Sequence, residues 1–357
     1  MIKINNKKKK NAHILKALLI LISFIFLLSF ILKDSPDPIF PQQWSINNKS
    51  GIHVEDMWKF YKMEDSATVV VAIIDTGIDF ENEELKGLQW INHNEIPNNN
   101  IDDDNNGYID DYNGWSFTDN TKDIIIDNYH GTACAEIIAA KHNSIGIEGI
   151  TRNIKIKLMS LKTLTSDGSS NYGEISDIVS AIKYAERNGA KICNLSLSTN
   201  FYSQDLYDVI KGSNMLFVVS AGNTNVIRHI NIDKKKLYPA SYNLDNMIVV
   251  TGTSKDKLLA DSSNYGEKTV DICAPGSEIY IYTNGDLDCV SGTSFAVPHV
   301  TGVAATLYSL GCNDVQKIKK YILKGVDKND SLKDLCKSGG TLNGRNSVKL
   351  FLEENKK

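Results

Sequence analysis

Six consecutive apolar residues, Val69-Val70-Val71-Ala72-Ile73-Ile74, run directly into Asp75-Thr76-Gly77. Most are β-branched, and an unbroken apolar run of this length reads as a strand buried on both faces. Further apolar strands are expected at 154–159, 190–197, 215–220 and 247–251, with helix-like stretches between them such as 173–188. This alternation predicts an α/β fold: a doubly wound, mostly parallel sheet with helices on both faces. Such sheets bind ligands beyond the carboxyl ends of their strands. Asp75 stands at such an end, although an aspartate before glycine is also an ordinary turn signal.

Two distant runs give Asp75 a context. In Gly292-Thr293-Ser294-Phe295-Ala296-Val297-Pro298-His299 a serine lies between a glycine turn and a helix-like segment. Glycine permits the sharp turn, and the unpaired N–H groups of a helix start stabilise developing negative charge. In His130-Gly131-Thr132-Ala133-Cys134-Ala135-Glu136 a histidine opens a second helix-forming stretch. A serine hydroxyl is a weak nucleophile at neutral pH. It needs a base within hydrogen-bond reach, and the base needs a group that fixes its tautomer. Ser294, His130 and Asp75 supply those three chemistries.

With these motifs, Asp-Thr-Gly, His-Gly-Thr and Gly-Thr-Ser-x-Ala-x-Pro-His, in the order aspartate, histidine, serine, the chain resembles the subtilisin-like serine proteases, the subtilases. The resemblance runs from about Gln43 to about Phe351. It implies that Asp75 orients His130, that His130 acts as general base and then acid, and that Ser294 attacks the scissile carbonyl. Asn223, in Val218-Val219-Ser220-Ala221-Gly222-Asn223, matches the oxyanion asparagine, and Ser196, Leu197 and Ser198 match the segment that pairs with extended substrate. Relatives commonly carry two glycines where this chain has Ser198 and Thr199, which implies a narrower groove. Phe295 stands in place of a common methionine, and Glu136 in place of a helix glycine.

The resemblance also implies structural calcium. The loop 141–147, with Gln43 and Glu84, matches a tight site in which Gln43, Glu84 and Asn143 give side-chain oxygens and Lys141, Ile145 and Ile147 give carbonyls. Glu84 replaces the usual aspartate. A second candidate comes from the residues themselves. Thirteen of the twenty-two residues from 92 to 113 are Asn or Asp, and Asp102, Asp104, Asn106 and Asp110 alternate around Gly107. Hard cations want six to eight oxygens, while a solvated Asn/Asp loop is the plainer alternative. No organic cofactor is expected.

Residues 1–33 carry seven lysines and no acids; without them 32 basic residues face 43 acidic ones. The remainder is therefore acidic, which argues against nucleic acid as a partner. After the lysines, Ala17 to Leu32 is apolar except for two serines, and about 24 Å of helix is slightly short of a bilayer core. Starting at Ile14, with Lys16 snorkelling, it reaches about 28 Å. The lysines predict a cytoplasmic N-terminus. The small-x-small cleavage pattern is missing, so an uncleaved anchor with an external catalytic domain is expected; secretion after cleavage is the alternative. Residues 34–45 read as a Pro-rich linker and 46–357 as one peptidase domain, with no room for a folding prodomain between Lys33 and Gln43.

Of six cysteines, Cys134 and Cys193 sit in apolar patterns and read as free core residues, while Cys312 and Cys336 are left open as a pair. The expectation is a monomeric serine endopeptidase acting on extended polypeptide, in its narrower form removing leader peptides from a bacteriocin precursor. A general extracellular protease is the alternative, and a pseudoprotease serving as a binding module is the reading from another class.

Overall fold

A computed structural model describes residues 39–47, 49–166, 171–224, 228–283 and 285–355. The expected membrane segment and the start of the expected linker lie outside these residues. The apolar run becomes β1 (Val69–Asp75). It pairs in parallel with β3 (Ile156–Lys162) on one side and β6 (Ile192–Leu195) on the other. Beyond β3 lies β2 (Gly114–Ser116); beyond β6 follow β7 (Leu216–Ser220), β8 (Met247–Thr253) and β9 (Ile272–Pro275). The far edge is closed by β13 (Gly340–Thr341) and by β12 (Asp327–Lys328), which is antiparallel to β13. Two small hairpins stand apart: β4 (Thr165–Ser166) with β5 (Asn171–Tyr172), and β10 (Ile279–Thr283) with β11 (Asp286–Val290).

From β1 the order runs through β6, β7, β8 and β9 on one side, while β3 and then β2 lie on the other, so the carboxyl end of β1 is the switch point where a crevice opens. Side chains of β1 alternate between two cores. Val69, Val71 and Ile73 enter one, with helices α1 (Val54–Trp58), α2 (His130–Ala139), α5 (Thr293–Ser309), α6 (Val315–Lys324) and α7 (Gly344–Glu354). Ala72 and Ile74 enter the other, with α3 (Ile175–Arg187) and α4 (Gln204–Gly212). Both faces of the sheet are covered, as the run predicted. Ile73 and Ile74 are fully buried, so truncating either to alanine should cost about 2–5 kcal/mol.

Two expectations shift, and the pairing left open for Cys312 and Cys336 is not formed. Residues 39–45 are not a free linker: Trp44 is buried and donates through Nε1 to the Glu278 carbonyl at 2.9 Å, and Gln43 is buried beside Glu148. The strand expected at 190–197 stops at Leu195, which leaves Ser196 to Ser198 outside the ladder. Cys336 is not beside Cys312. Its Sγ lies 3.4 Å from that of Cys273 on β9, because the segment before β13 folds back along β9. All six cysteines are free thiols, and Cys134 and Cys193 are buried as expected.

Candidate active site

Asp75 ends β1, fully buried at the switch point. Its Oδ1 accepts from the Thr76 N–H at 2.8 Å and from His130 Nδ1 at 2.7 Å. His130 is aimed by its own backbone: it opens α2, and its N–H donates to Asn128 Oδ1. Gly131 cannot carry a side chain, since a Cβ there would meet the Gly77 carbonyl oxygen at 2.3 Å. Helix α2 is thereby seated against the turn that follows Asp75. Burial pulls the imidazole pKa down, but the Asp75 charge and hydrogen bond outweigh it, so His130 titrates above its ordinary value.

Ser294 is the second residue of α5. The helix contains Pro298, which has no N–H to give to the carbonyl four residues earlier. That carbonyl is Ser294's, and it accepts from Ser196 Oγ at 2.8 Å instead. Asn194 Nδ2 supports Ser196 Oγ from β6 at 3.0 Å, and Thr301 Oγ1 of α5 donates to Asn194 Oδ1 at 2.8 Å. A buried polar chain thus locks the nucleophile's helix to the strand beneath it. The Ser294 hydroxyl donates to the Ser196 carbonyl at 3.2 Å. It makes no hydrogen bond to His130 among the described residues.

The turn before Ser294 is Gly292, with φ of 154°, whose N–H donates to the Gly276 carbonyl. Asn223 follows β7, and its Oδ1 accepts from both the N–H and the hydroxyl of Thr293 at 2.9 and 3.1 Å. That fixes the amide orientation and leaves Nδ2 exposed over Gly292. The Ser294 N–H has no acceptor among the described residues. His130, Ser294 and Ser196 to Thr199 line one cavity of about 360 Å³.

The first calcium candidate is brought together. The loop 141–147 bulges from the end of α2 and closes where Gly149 N–H meets the Ala140 carbonyl. Lys141 N–H donates to the Glu84 carbonyl, and the exposed Asn143 accepts through Oδ1 from the Ile145 N–H. Glu84 is fully buried, and a Cβ on Gly146 would lie 2.3 Å from its Oε1. Glycine at 146, with φ of 54°, is what lets the loop wrap this carboxylate. Gln43 joins through Glu148: its Oε1 accepts the Glu148 N–H and its Nε2 donates to the Glu148 carbonyl. The donor set is all oxygen, which fits a hard cation.

The second candidate is rearranged. Asp102 caps a turn through the N–H groups of Asn106 and Gly107, and Asp110 accepts from Asn99, Asn100 and Lys122. The carboxylates that converge are Asp104, Glu95 and Asp111, with ligand atoms within 4.8 Å of one another. Asn106 reaches Asp111 through Nδ2 at 2.8 Å. Glu95 and Asp111 escaped the sequence reading because the alternation counted neighbours in sequence. Burial is shared by Glu95, Asp110 and Asp111; the convergence of Glu95 and Asp111 on Asp104 was not legible there.

A doubly wound parallel sheet with an aspartate, a histidine and a serine gathered at its switch point defines a subtilisin-like serine peptidase. The chain belongs to the subtilase family, whose peptidase S8 model matches residues 66–335. It is 32% identical to subtilisin-like protease 1 of Plasmodium berghei over 327 residues, 86% of this chain and 53% of that protein. It is 35% identical to the thermophilic serine proteinase of Bacillus sp. strain AK1 over 265 residues, 72% of this chain and 56% of that protein. The chain thus spans about half the length of these curated relatives. Among solved structures it resembles a protease from Pseudoalteromonas arctica PAMC 21717, with a TM-score of 0.67 and 22% identity over 89% of this chain and all of that one.

Proposed function

We propose that the chain is a serine endopeptidase that hydrolyses extended polypeptides. The observation that carries this is the Asp75–His130 hydrogen bond, opening into one cavity with Ser294. Ser294 Oγ attacks the scissile carbonyl as His130 takes its proton. Asp75 holds the Nδ1–H tautomer and stabilises the imidazolium that forms. The tetrahedral oxyanion is met by Asn223 Nδ2 and the Ser294 N–H, donors that no group among the described residues uses at rest. His130 then protonates the leaving amine, and water repeats the cycle on the acyl-enzyme.

A calcium ion held by Glu84, Gln43, Asn143 and the carbonyls of Lys141, Ile145 and Ile147 would brace the end of the His130 helix, a structural charge remote from the chemistry. Attachment to a membrane, with the catalytic domain outside the cell, rests on the lysines and apolar run of residues 1–33. Among the described residues no helix is long and apolar enough to cross a membrane.

A dedicated processing enzyme, such as one removing a leader peptide from a bacteriocin precursor, is favoured over a general protease by Ser198 and Thr199. Thr199 is pinned to Tyr238 by two backbone hydrogen bonds of 2.8 Å, and Ser198 and Thr199 both line the substrate cavity. A peptide laid there meets side chains rather than bare backbone.

The test is a fluorophosphonate probe, which reacts only with an activated serine. Wild-type protein should label and Ser294→Ala should not. An unlabelled, folded wild type would leave only the binding-module reading.

A further inference from the structure

A cavity of about 1280 Å³ lies between the N-terminal ends of α3 and α4. It shares Gly173, Ile175 and Thr199 with the active-site cavity, so the two form one continuous groove. Its rim combines two features. Phe201 and Tyr202 present exposed rings, 74% and 53% accessible. Glu174, Asp205 and Asp208 present carboxylates against a single Lys183, and none of the three is in an ion pair with a described residue.

The aromatic edge is held in place. Tyr202 packs edge-on against Tyr238 and Tyr242, with ring centres 5.3 and 5.6 Å away, and donates to Gln204 Oε1 at 2.9 Å. The Phe201 N–H is tied to Thr199 Oγ1 at 3.2 Å, and Ser203 Oγ caps α4 through the Leu206 N–H. An exposed, rigid ring beside unpaired carboxylates suits a Lys or Arg side chain, whose stem lies on the ring while its charge meets the acids.

Direction follows from the chemistry. His130 must face the leaving amine, so the acyl side of the substrate runs from Ser294 along Ser196 to Thr199. Those four residues pair with about four substrate residues at about 3.3 Å each. The next residues of the substrate enter the groove.

We propose that this groove is a remote substrate subsite, recognising a basic side chain, next to an apolar one, about five to seven residues before the scissile bond. The inference rests on the peptidase reading above and adds the substrate class to it. The groove contributes affinity rather than chemistry, so its effect falls on KM.

The experiment uses the full chain and two peptide sets that share four residues before the cut and all residues after it. Short peptides end there; long ones extend seven residues before the cut with Arg, Ala or Glu at positions five to seven. In low salt, Arg-bearing peptides should show about a fivefold lower KM than Ala-bearing ones at similar kcat, Glu-bearing ones a higher KM, and 0.5 M salt should remove the difference, since exposed pairs are weak and screened. Asp205→Asn with Asp208→Asn should remove the preference while leaving short-peptide kinetics at the wild-type level. Phe201→Ala should weaken it.

Equal KM for Arg and Ala peptides, or a preference undiminished in the double variant, would overturn the subsite while leaving the peptidase standing. Failure to cleave even the short peptides would remove the peptidase reading and the subsite with it.

Discussion

His130 donates through Nδ1 to Asp75 Oδ1 over 2.7 Å, a charge-assisted bond between a helix start and the end of the central strand. It raises the imidazole pKa above the ordinary value of about 6.5. The base works only when neutral, so kcat/KM should rise with pH along an acid limb centred above that value. Asp75→Asn removes the charge that raises it. The limb should move to lower pH, and kcat should fall by on the order of 10⁴, because the tautomer is no longer fixed. A pH–rate profile of both forms checks this; an unmoved limb would mean that His130 is not the titrating base.

The chemistry of this site was legible in the sequence because it is written in short motifs whose backbone needs are local. Asp75 ends an apolar run, His130 opens a helix, and Ser294 follows the one glycine that its turn requires. The sheet was legible for the same reason, since β1, β7 and β8 are nearly pure apolar runs. What joins these parts was not. That Pro298 frees the Ser294 carbonyl for Ser196 depends on two elements 98 residues apart meeting in space. Spacing likewise could not show that Cys336 faces Cys273, or that Glu95 rather than Asp102 completes the acidic cluster.

Asn223 is set by Thr293, whose N–H and hydroxyl hold its carbonyl oxygen and leave its NH₂ pointing over the turn. Asn223→Ala should lower kcat by about 10²–10³ with little change in KM, the loss found for such a donor in a subtilisin. Asn223→Asp should be at least as damaging, since it puts an acceptor where charge develops. Steady-state kinetics on one peptide would show this, and a variant altering KM alone would assign Asn223 to ground-state binding.

Glu84 is enclosed by the 141–147 loop, with no room for a side chain at 146. A cation bound only by the folded form stabilises by about 2.7 kcal/mol at a hundred times its Kd. Chelation should therefore lower Tm by several degrees, and added calcium should restore it. Glu84→Gln keeps an oxygen but loses the charge, and should need higher calcium for the same Tm. Thermal melts indifferent to both chelator and calcium would remove the ion from this site.

Glu136 lies about two turns along the helix from His130 and is fully buried. Its carboxylate accepts from Asn82 Nδ2 and from the Tyr282 N–H on β10, and no ion pair with it is formed among the described residues. Burial pushes its pKa up to about 8, against the pull of those two hydrogen bonds. A carboxyl with a raised folded pKa binds its proton more tightly in the native state than in the unfolded one. Stability from this group is thus full below about pH 4.5 and is lost as pH rises toward 8, opposite to the usual acidic residue. The shift from 4.5 to about 8 corresponds to about 5 kcal/mol, an upper bound once the interior relaxes. Wild-type protein should lose Tm between pH 5 and 8, and Glu136→Gln, which cannot ionise, should lose less over the same range. If the two melt in parallel across that range, Glu136 is not the group that titrates.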